Sequence, residues 1–175
     1  MIVPDVQTER LVMRGFVEDD LDEWAAICAE PEVTRWVGDE DGLSREDAWR
    51  RMAYLIGHWA LRGFGHWALV ERVTGKLVGR AGLYEPEAWP GLEVGWLVGR
   101  EHWGRGFAPE AGRASIEWAR EELGADRVIS LIDDDNVRSA RVAEKLGMTV
   151  EGRTRIVNAR YDVRIFGTDL GSSSR

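Results

Sequence analysis

Hydrophobic and polar positions alternate through residues 9–16 (ERLVMRGF), the period-two pattern of a half-buried strand. Spacing then changes to the helical period, with Leu21, Trp24, Ala25, Ile27 and Cys28 on one face behind the acidic start Glu18, Asp19 and Asp20. Pro31 is expected to end that helix. Ser44 and Asp47 form an S-x-x-D capping box ahead of a second helix, on which Trp49, Met52, Ala53, Ile56 and Trp59 share a stripe. Two strands, HWALVER and KLVGRAGLY, flank a turn at Thr74-Gly75, and LEVGWLV follows a loop holding Pro86 and Pro90. A helix is expected from about residue 109 to 123, closed by Gly124, and then a strand over RVISLID. Asn136 caps a helix over VRSARVAEKL that Gly147 ends, and TVEGRTRIV and DVRIFGTDL are the last strands. Strands and helices interleave without repeat or linker. The pattern predicts one α+β (α/β-like) domain over residues 1–170, with a disordered tail at 171–175.

Composition narrows the function. The chain has 175 residues, 44% of them hydrophobic, which suffices for a sizeable single core. Its net charge of −8 disfavours nucleic-acid binding, because phosphates require a basic surface, and is compatible with a cationic partner. The lone cysteine, Cys28, cannot form an internal disulfide and reads as a small core residue. No secretory leader or membrane-spanning run is evident, so a cytoplasmic protein with no membrane partner is expected. His58, His66 and His102 lack metal-ligand spacing, so no metal is expected. Asp133, Asp134 and Asp135 could bind a cation, or form a solvated turn that favours the next helix N-terminus.

The segment HWGRGFAPEA, residues 102–111, lies between a strand and a helix. A glycine-rich turn there aims backbone N–H groups at one point, and the helix dipole adds positive potential. Gly104 and Gly106 carry no side chain to obstruct an anion, and Pro109 sits near the helix start, where no donor is needed. A plain strand-to-helix turn is the alternative reading. The dinucleotide fingerprint G-x-G-x-x-G fails at Pro109, and the Walker pattern fails because Val70 stands where the first glycine before Gly75-Lys76 would be.

Together with LIDDDNVRSARVAEKLGMTVEG downstream, this segment resembles the GCN5-related N-acetyltransferase (GNAT) family, and more narrowly its ribosomal-protein-alanine acetyltransferase-like branch. TERLVMR, GKLVGRAGL, EVGWLVGREHWGRGFAPEA, NVRSARVAEKLGM and YDVRIFGTDL carry the resemblance, over roughly residues 7 to 170. It implies a mixed sheet of about seven strands flanked by helices and splayed between strands 4 and 5, with acetyl-CoA in the cleft. It places the pyrophosphate on Trp103, Gly104, Arg105, Gly106, Phe107 and Ala108. Trp103 replaces the usual Gln or Arg at the head of that motif. Pantetheine is expected along residues 92–98, with the thioester carbonyl near the backbone of Leu97 or Val98, and further coenzyme contacts at Asn136 and Ser139.

The chemistry requires a base, because an amine is mostly protonated at neutral pH. Glu93 is the candidate, against the alternative of an ordinary strand glutamate. Ser139 is the candidate acid for the leaving thiolate, against a helix-packing or coenzyme-contacting role. Many relatives carry a tyrosine on that helix where Ala143 stands here. Tyr84 and Tyr161 are further candidates. Trp36, Trp49, Trp59 and Trp89 could shape the acceptor pocket or simply fill the core. The expected function is acetyl transfer to a primary amine, on a protein N-terminus or a small molecule, and a homodimer is allowed. An aminoglycoside-type acetyltransferase and a non-catalytic acyl-CoA sensor are the alternatives.

Overall fold

The structure is a computed structural model that describes residues 2–38, 40–155 and 162–171. Tyr161, the end of the TVEGRTRIV segment and the tail at 172–175 lie outside the described residues.

One mixed sheet organises the chain. Its eight strands are β1 Val6–Gln7, β2 Leu11–Arg14, β3 His66–Glu71, β4 Leu77–Tyr84, β5 Glu93–Val98, β6 Arg127–Ile132, β7 Thr149–Arg155 and β8 Asp162–Asp169. They stand in the order β1-β2-β3-β4-β5-β6-β8-β7. The helices are α1 Leu21–Cys28, α2 Pro31–Thr34, α3 Arg45–Arg62, α4 Phe107–Glu122 and α5 Val137–Lys145. The sheet gains a strand over the expected seven because Val6 and Gln7 pair with Met13 and Val12. A two-residue strand leaves too short an alternation to detect in sequence.

That extra strand shifts the place of the splay by one. β4 and β5 are fully paired, Gly79 to Val98 through Tyr84 to Glu93. β5 and β6 run parallel and register only at Glu93 and Ile129, so the sheet opens beyond that point, between its fifth and sixth strands.

The two faces of the sheet differ. Val94, Trp96 and Val98 of β5 point to the face covered by α4, in clusters with Ala111, Trp118 and Ala119. Leu97 points to the opposite face, packed with Trp24 and Cys28 of α1 and Leu55 of α3. Period-two alternation puts Glu93 and Gly95 on that second face with Leu97.

Most local signals act as read. Ser44 Oγ accepts from the Asp47 amide at 3.1 Å, and Asn136 Oδ1 accepts from the Ser139 amide at 3.2 Å. Each such cap contributes about 1 kcal/mol. Three details differ. Pro31 begins α2 rather than ending the previous helix, because its fixed φ suits the first helical position. On α3 the buried stripe is Ala48, Met52, Leu55, His58 and Trp59, whereas Trp49 is 45% exposed and Ile56 39% exposed. The core-facing stripe is thus rotated by one position from the expected one, since buried His58 takes a place that an apolar count skips. α4 begins at Phe107, two residues earlier than expected, so Pro109 is its third residue.

Candidate active site

The turn before α4 is built from backbone. Gly104 has φ +75° and Gly106 has φ +84°, both in the left-handed region that side chains strain. A Cβ on Gly104 would meet nothing within 4 Å, and one on Gly106 would lie 3.2 Å from Arg10 Nη2. Among the described residues, the N–H groups of Gly104, Arg105, Gly106, Phe107 and Ala108 have no acceptor in the chain; the first amide of this helix that is bonded back is Glu110, to the Gly106 carbonyl at 3.3 Å. Five unpaired donors at a helix N-terminus form a cradle for an anion.

Side chains hold the cradle from behind. Glu110 accepts from Thr8 Oγ1 at 2.6 Å, the Arg10 amide at 2.8 Å and Arg10 Nε at 2.7 Å. Burial opposes the Glu110 charge, but these donors hold its carboxyl below the usual range. Arg10 Nη1 in turn donates to the Arg105 carbonyl at 2.6 Å. The Arg105 guanidinium pairs with Glu71 and lies over the Phe107 ring, 4.7 Å from its centroid. Phe107 is buried in the core, so it offers the cradle its amide rather than its ring. Trp103 Nε1 donates to the Val98 carbonyl at 2.7 Å, which fastens the turn to the end of β5. Arg138 of α5 stacks 3.5 Å from the Trp103 ring centroid, which puts a cation beside the turn.

Between the cradle and Glu93 runs the free edge of β5. The Gly99 amide donates to Val78 of β4, whereas the Val94 and Val98 carbonyls accept from Ser130 Oγ at 2.5 Å and from Trp103. Alternation then turns the backbone groups of Val94, Trp96 and Val98 toward the splay, and those of Gly95 and Leu97 toward β4. The Val98 N–H thus faces the cleft; the Leu97 N–H does not.

Glu93 lies where the strands part. Trp89 Nε1 donates to its Oε2 at 2.8 Å, and the Leu131 amide reaches Oε1 at 3.4 Å. Burial raises its pKa to about 7, against the opposing pull of those two donors and of Arg80. Glu93 keeps partial access to the cleft. A carboxyl poised near neutrality can take a proton from an ammonium group at physiological pH.

The cleft occupies about 1220 Å³ and reaches from Gly106 and Ala108 past Asn136 and Ser139 to Glu93. Asn136 Oδ1 is used in capping α5. The Ser139 hydroxyl makes no hydrogen bond within the described residues, leaving it available in the cleft wall. Ala143 is fully buried and packs among Leu83, Val94 and Phe166, far from any acid–base role. Tyr84 also lines the cleft; its hydroxyl lies 2.7 Å from that of Tyr54, and burial pushes its pKa up. Trp36 and Trp89 line the cleft, whereas Trp59 is a core residue packed edge-on to Trp67 and Trp118, and Trp49 faces outward. Asp134 pairs with Arg153 at 2.6 Å and Arg164 at 3.0 Å, a turn tied down by arginines. Among the described residues no cluster of three His, Cys, Asp or Glu is placed to hold a metal.

Three polar side chains near Glu93 are not marked as site residues by the sequence, His66 being read there only as lacking metal-ligand spacing. Arg80 and His66 are buried, and Arg80 Nη1 lies 2.6 Å from His66 Nδ1. Burial, then the Arg80 charge, pushes the His66 pKa well down, so its ring is neutral and can accept from the guanidinium. Arg51 of α3 lines the same wall. One signal was available in the sequence: Arg80 is the single charged residue within LVGRAGLY, an otherwise apolar strand.

Comparison with known proteins agrees with this geometry. The GNAT acetyltransferase domain family matches residues 10–149. An uncharacterized N-acetyltransferase, p20 of Bacillus licheniformis, is 28% identical over 150 residues, covering 85% of this chain and 84% of that protein. The crystal structure of an acetyltransferase from Agrobacterium tumefaciens superposes with a TM-score of 0.83 at 28% identity, covering 96% of this chain and 95% of that one. A spermidine N-acetyltransferase from Vibrio cholerae, crystallised with CoA and spermine, shares the fold at a TM-score of 0.72 and 18% identity, covering 93% of this chain and 96% of that one. With the family's domain spanning most of its length, a splayed sheet and an amide-lined turn before α4, the chain belongs to the GNAT acetyltransferases, enzymes that use acetyl-CoA.

Proposed function

We propose that the protein moves an acetyl group from acetyl-CoA to a primary amine by direct attack, with Glu93 as general base. The observation that carries this reading is a carboxyl with its pKa raised to about 7, set where β5 and β6 part, on the strand whose free edge leads to the amide cradle. The residues fit the coenzyme: five unpaired amides suit a pyrophosphate, and the β5 edge beyond Val94 suits an extended amide chain. When bound, acetyl-CoA supplies the activated acetyl thioester.

Each remaining task falls to a residue of the chain. The amides of Gly104, Arg105, Gly106, Phe107 and Ala108 bind the diphosphate, with Trp103 bracing the turn and Arg138 supplying a cation beside it. Asn136 holds the start of α5 against the cleft. The Val98 N–H, rather than that of Leu97, polarises the thioester carbonyl, since only the former faces the splay. Glu93 removes the amine proton, and Ser139 Oγ–H hydrogen-bonds to the departing thiolate, which is finally protonated by solvent as Glu93 releases the amine proton. No covalent link to the enzyme is needed.

A non-catalytic acyl-CoA sensor would need the cradle but not a carboxyl tuned near neutrality, so Glu93 favours turnover. An aminoglycoside-type polycation is disfavoured by Arg80 and Arg51 in the wall beside Glu93.

The test is direct. Acetyl-CoA at a hundred times its Kd should stabilise the fold by about 2.7 kcal/mol, seen as a raised Tm. Thiol release should then be found with members of a panel of small amines and N-terminal peptides. An unshifted melt at millimolar acetyl-CoA would refute the proposal.

A further inference from the structure

Arg80 is 8% exposed, yet its Nε is buried with no hydrogen-bond partner. Among the described residues its Nη1 hydrogen-bonds only to the neutral ring of His66. Among the described residues no carboxylate lies within ion-pair distance of it, whereas Arg105 and Arg100, outside the cleft lining, each pair with one. A buried cation with no carboxylate at ion-pair distance and an unbonded Nε is costly and calls for a reason.

Its position supplies one. Arg80 stands opposite Leu97 on the sheet face that carries Glu93, and it lines the same cleft. His66 joins the two: its ring holds Arg80 Nη1, and a Cβ on Gly95 would lie 3.2 Å from His66 Cε1 and 3.9 Å from Glu93 Oε1. Because position 95 is glycine, the space between cation and carboxyl stays open. Arg51 adds positive potential at Arg80. The walls are aromatic, from Tyr54, Tyr84, Trp89 and Trp36. An anionic group meets attraction at the floor of the cleft, beside Arg80.

We propose that the acceptor is an amine that also carries a carboxylate, an amino-acid-like zwitterion, whose carboxylate is bound by the Arg80 guanidinium while its nitrogen is presented to Glu93. The inference rests on the acetyltransferase reading and adds the substrate class. A guanidinium fork matches a carboxylate in geometry, and desolvation on both sides makes the pairing selective. An apolar side chain on the acceptor would lie against the tyrosines and tryptophans.

The experiment compares free L-amino acids with their amides, which keep the amine and lose the charge. It follows thiol release from acetyl-CoA by the wild type, Arg80→Met and Arg80→Lys. The wild type should prefer some free acids over the matching amides by about a hundredfold or more in kcat/KM, since a site built to bind a charged group rejects the analogue lacking it. The preference should collapse in Arg80→Met and return in part in Arg80→Lys. In the presence of CoA, N-acetyl amino acids should also raise the wild-type Tm more than N-acetyl amino amides do. Every variant is first checked for the acetyl-CoA melting shift, which reports folding and coenzyme binding independently of the acceptor. Amides used as well as acids, or no amino acid used by a protein that shows that shift, would overturn the proposal and leave acetyl transfer standing. An unchanged preference in Arg80→Met would overturn it too, and a raised pH inflection there would make Arg80 a residue that positions the charge of Glu93. Absence of the melting shift in the wild type would refute the acetyltransferase reading itself.

Discussion

The two ends of the cleft are made of different material. At the coenzyme end, the working groups are main-chain amides at a helix N-terminus, shaped by Gly104 and Gly106 and buttressed by Glu110 and Arg10. At the acceptor end they are side chains, Glu93, Arg80, His66 and Trp89, that arrive from three strands and a loop. A main-chain site depends on local conformation; a side-chain site depends on convergence and on burial that tunes charge. The first tolerates changes of side chain that keep the turn, and the second tolerates few. Such a division suits an enzyme that binds one fixed donor and a selected acceptor.

Breaking the turn should give the largest effect. Gly106→Val puts a β-branched residue at φ +84° and against Arg10, costing strain of about 1–3 kcal/mol besides crowding the anion. Acetyl-CoA affinity should fall by about a hundredfold, measured by calorimetry. Gly104→Ala, with open space around it, should lose less. Equal affinity in all three proteins would show that the turn does not hold the coenzyme.

Glu93 should display the opposite behaviour, a side chain that works at a cost to the fold. Its folded pKa of about 7 exceeds the usual 4.5, so the folded state holds the proton more tightly than the unfolded state. Stability from this group is complete below about pH 4.5 and is lost as pH rises through 7. The loss amounts to roughly 3 kcal/mol, from 1.36 kcal/mol for each pKa unit. Glu93→Gln should therefore melt higher than the wild type at pH 8, with the gap closing near pH 4. A mutant that melts lower at pH 8 would mean that its bonds to Trp89 and Leu131 outweigh its burial.

The smallest effect is expected at the boundary between the two regions. Ser139→Ala removes one hydroxyl hydrogen bond, and kcat should fall by about tenfold with little change in Tm. A change confined to acetyl-CoA affinity would make Ser139 a coenzyme contact only.

The same division governs what was legible in the sequence. The turn could be read because glycines between a strand and a helix announce a backbone requirement, and the caps at Ser44 and Asn136 are likewise local. Eight strands were harder to count, since β1 is two residues long. The splay was an expectation of the family resemblance, and its place shifted by one with that strand. Glu93 could be named from the family resemblance and its place on the cleft strand, but its raised pKa comes from burial in the cleft, against the pull of Trp89 and Leu131. Arg80 was overlooked because its partner, His66, lies fourteen residues away on a neighbouring strand. Of four tryptophans considered for the acceptor wall, Trp36 and Trp89 reach it, and helical spacing alone could not separate them from Trp49 and Trp59.

The central claim, that Glu93 is the base, is tested most directly by the pH dependence of kcat/KM in the wild type and in Glu93→Gln, with one amine acceptor from pH 6 to 9. The wild-type rate should rise through an inflection near pH 7, as the carboxyl becomes able to accept a proton. The mutant should be slower by about a hundredfold at neutral pH, should lack that inflection, and should recover toward the wild type as the free amine becomes abundant. Superimposable profiles across this range, or a loss of equal size at every pH, would contradict the assignment.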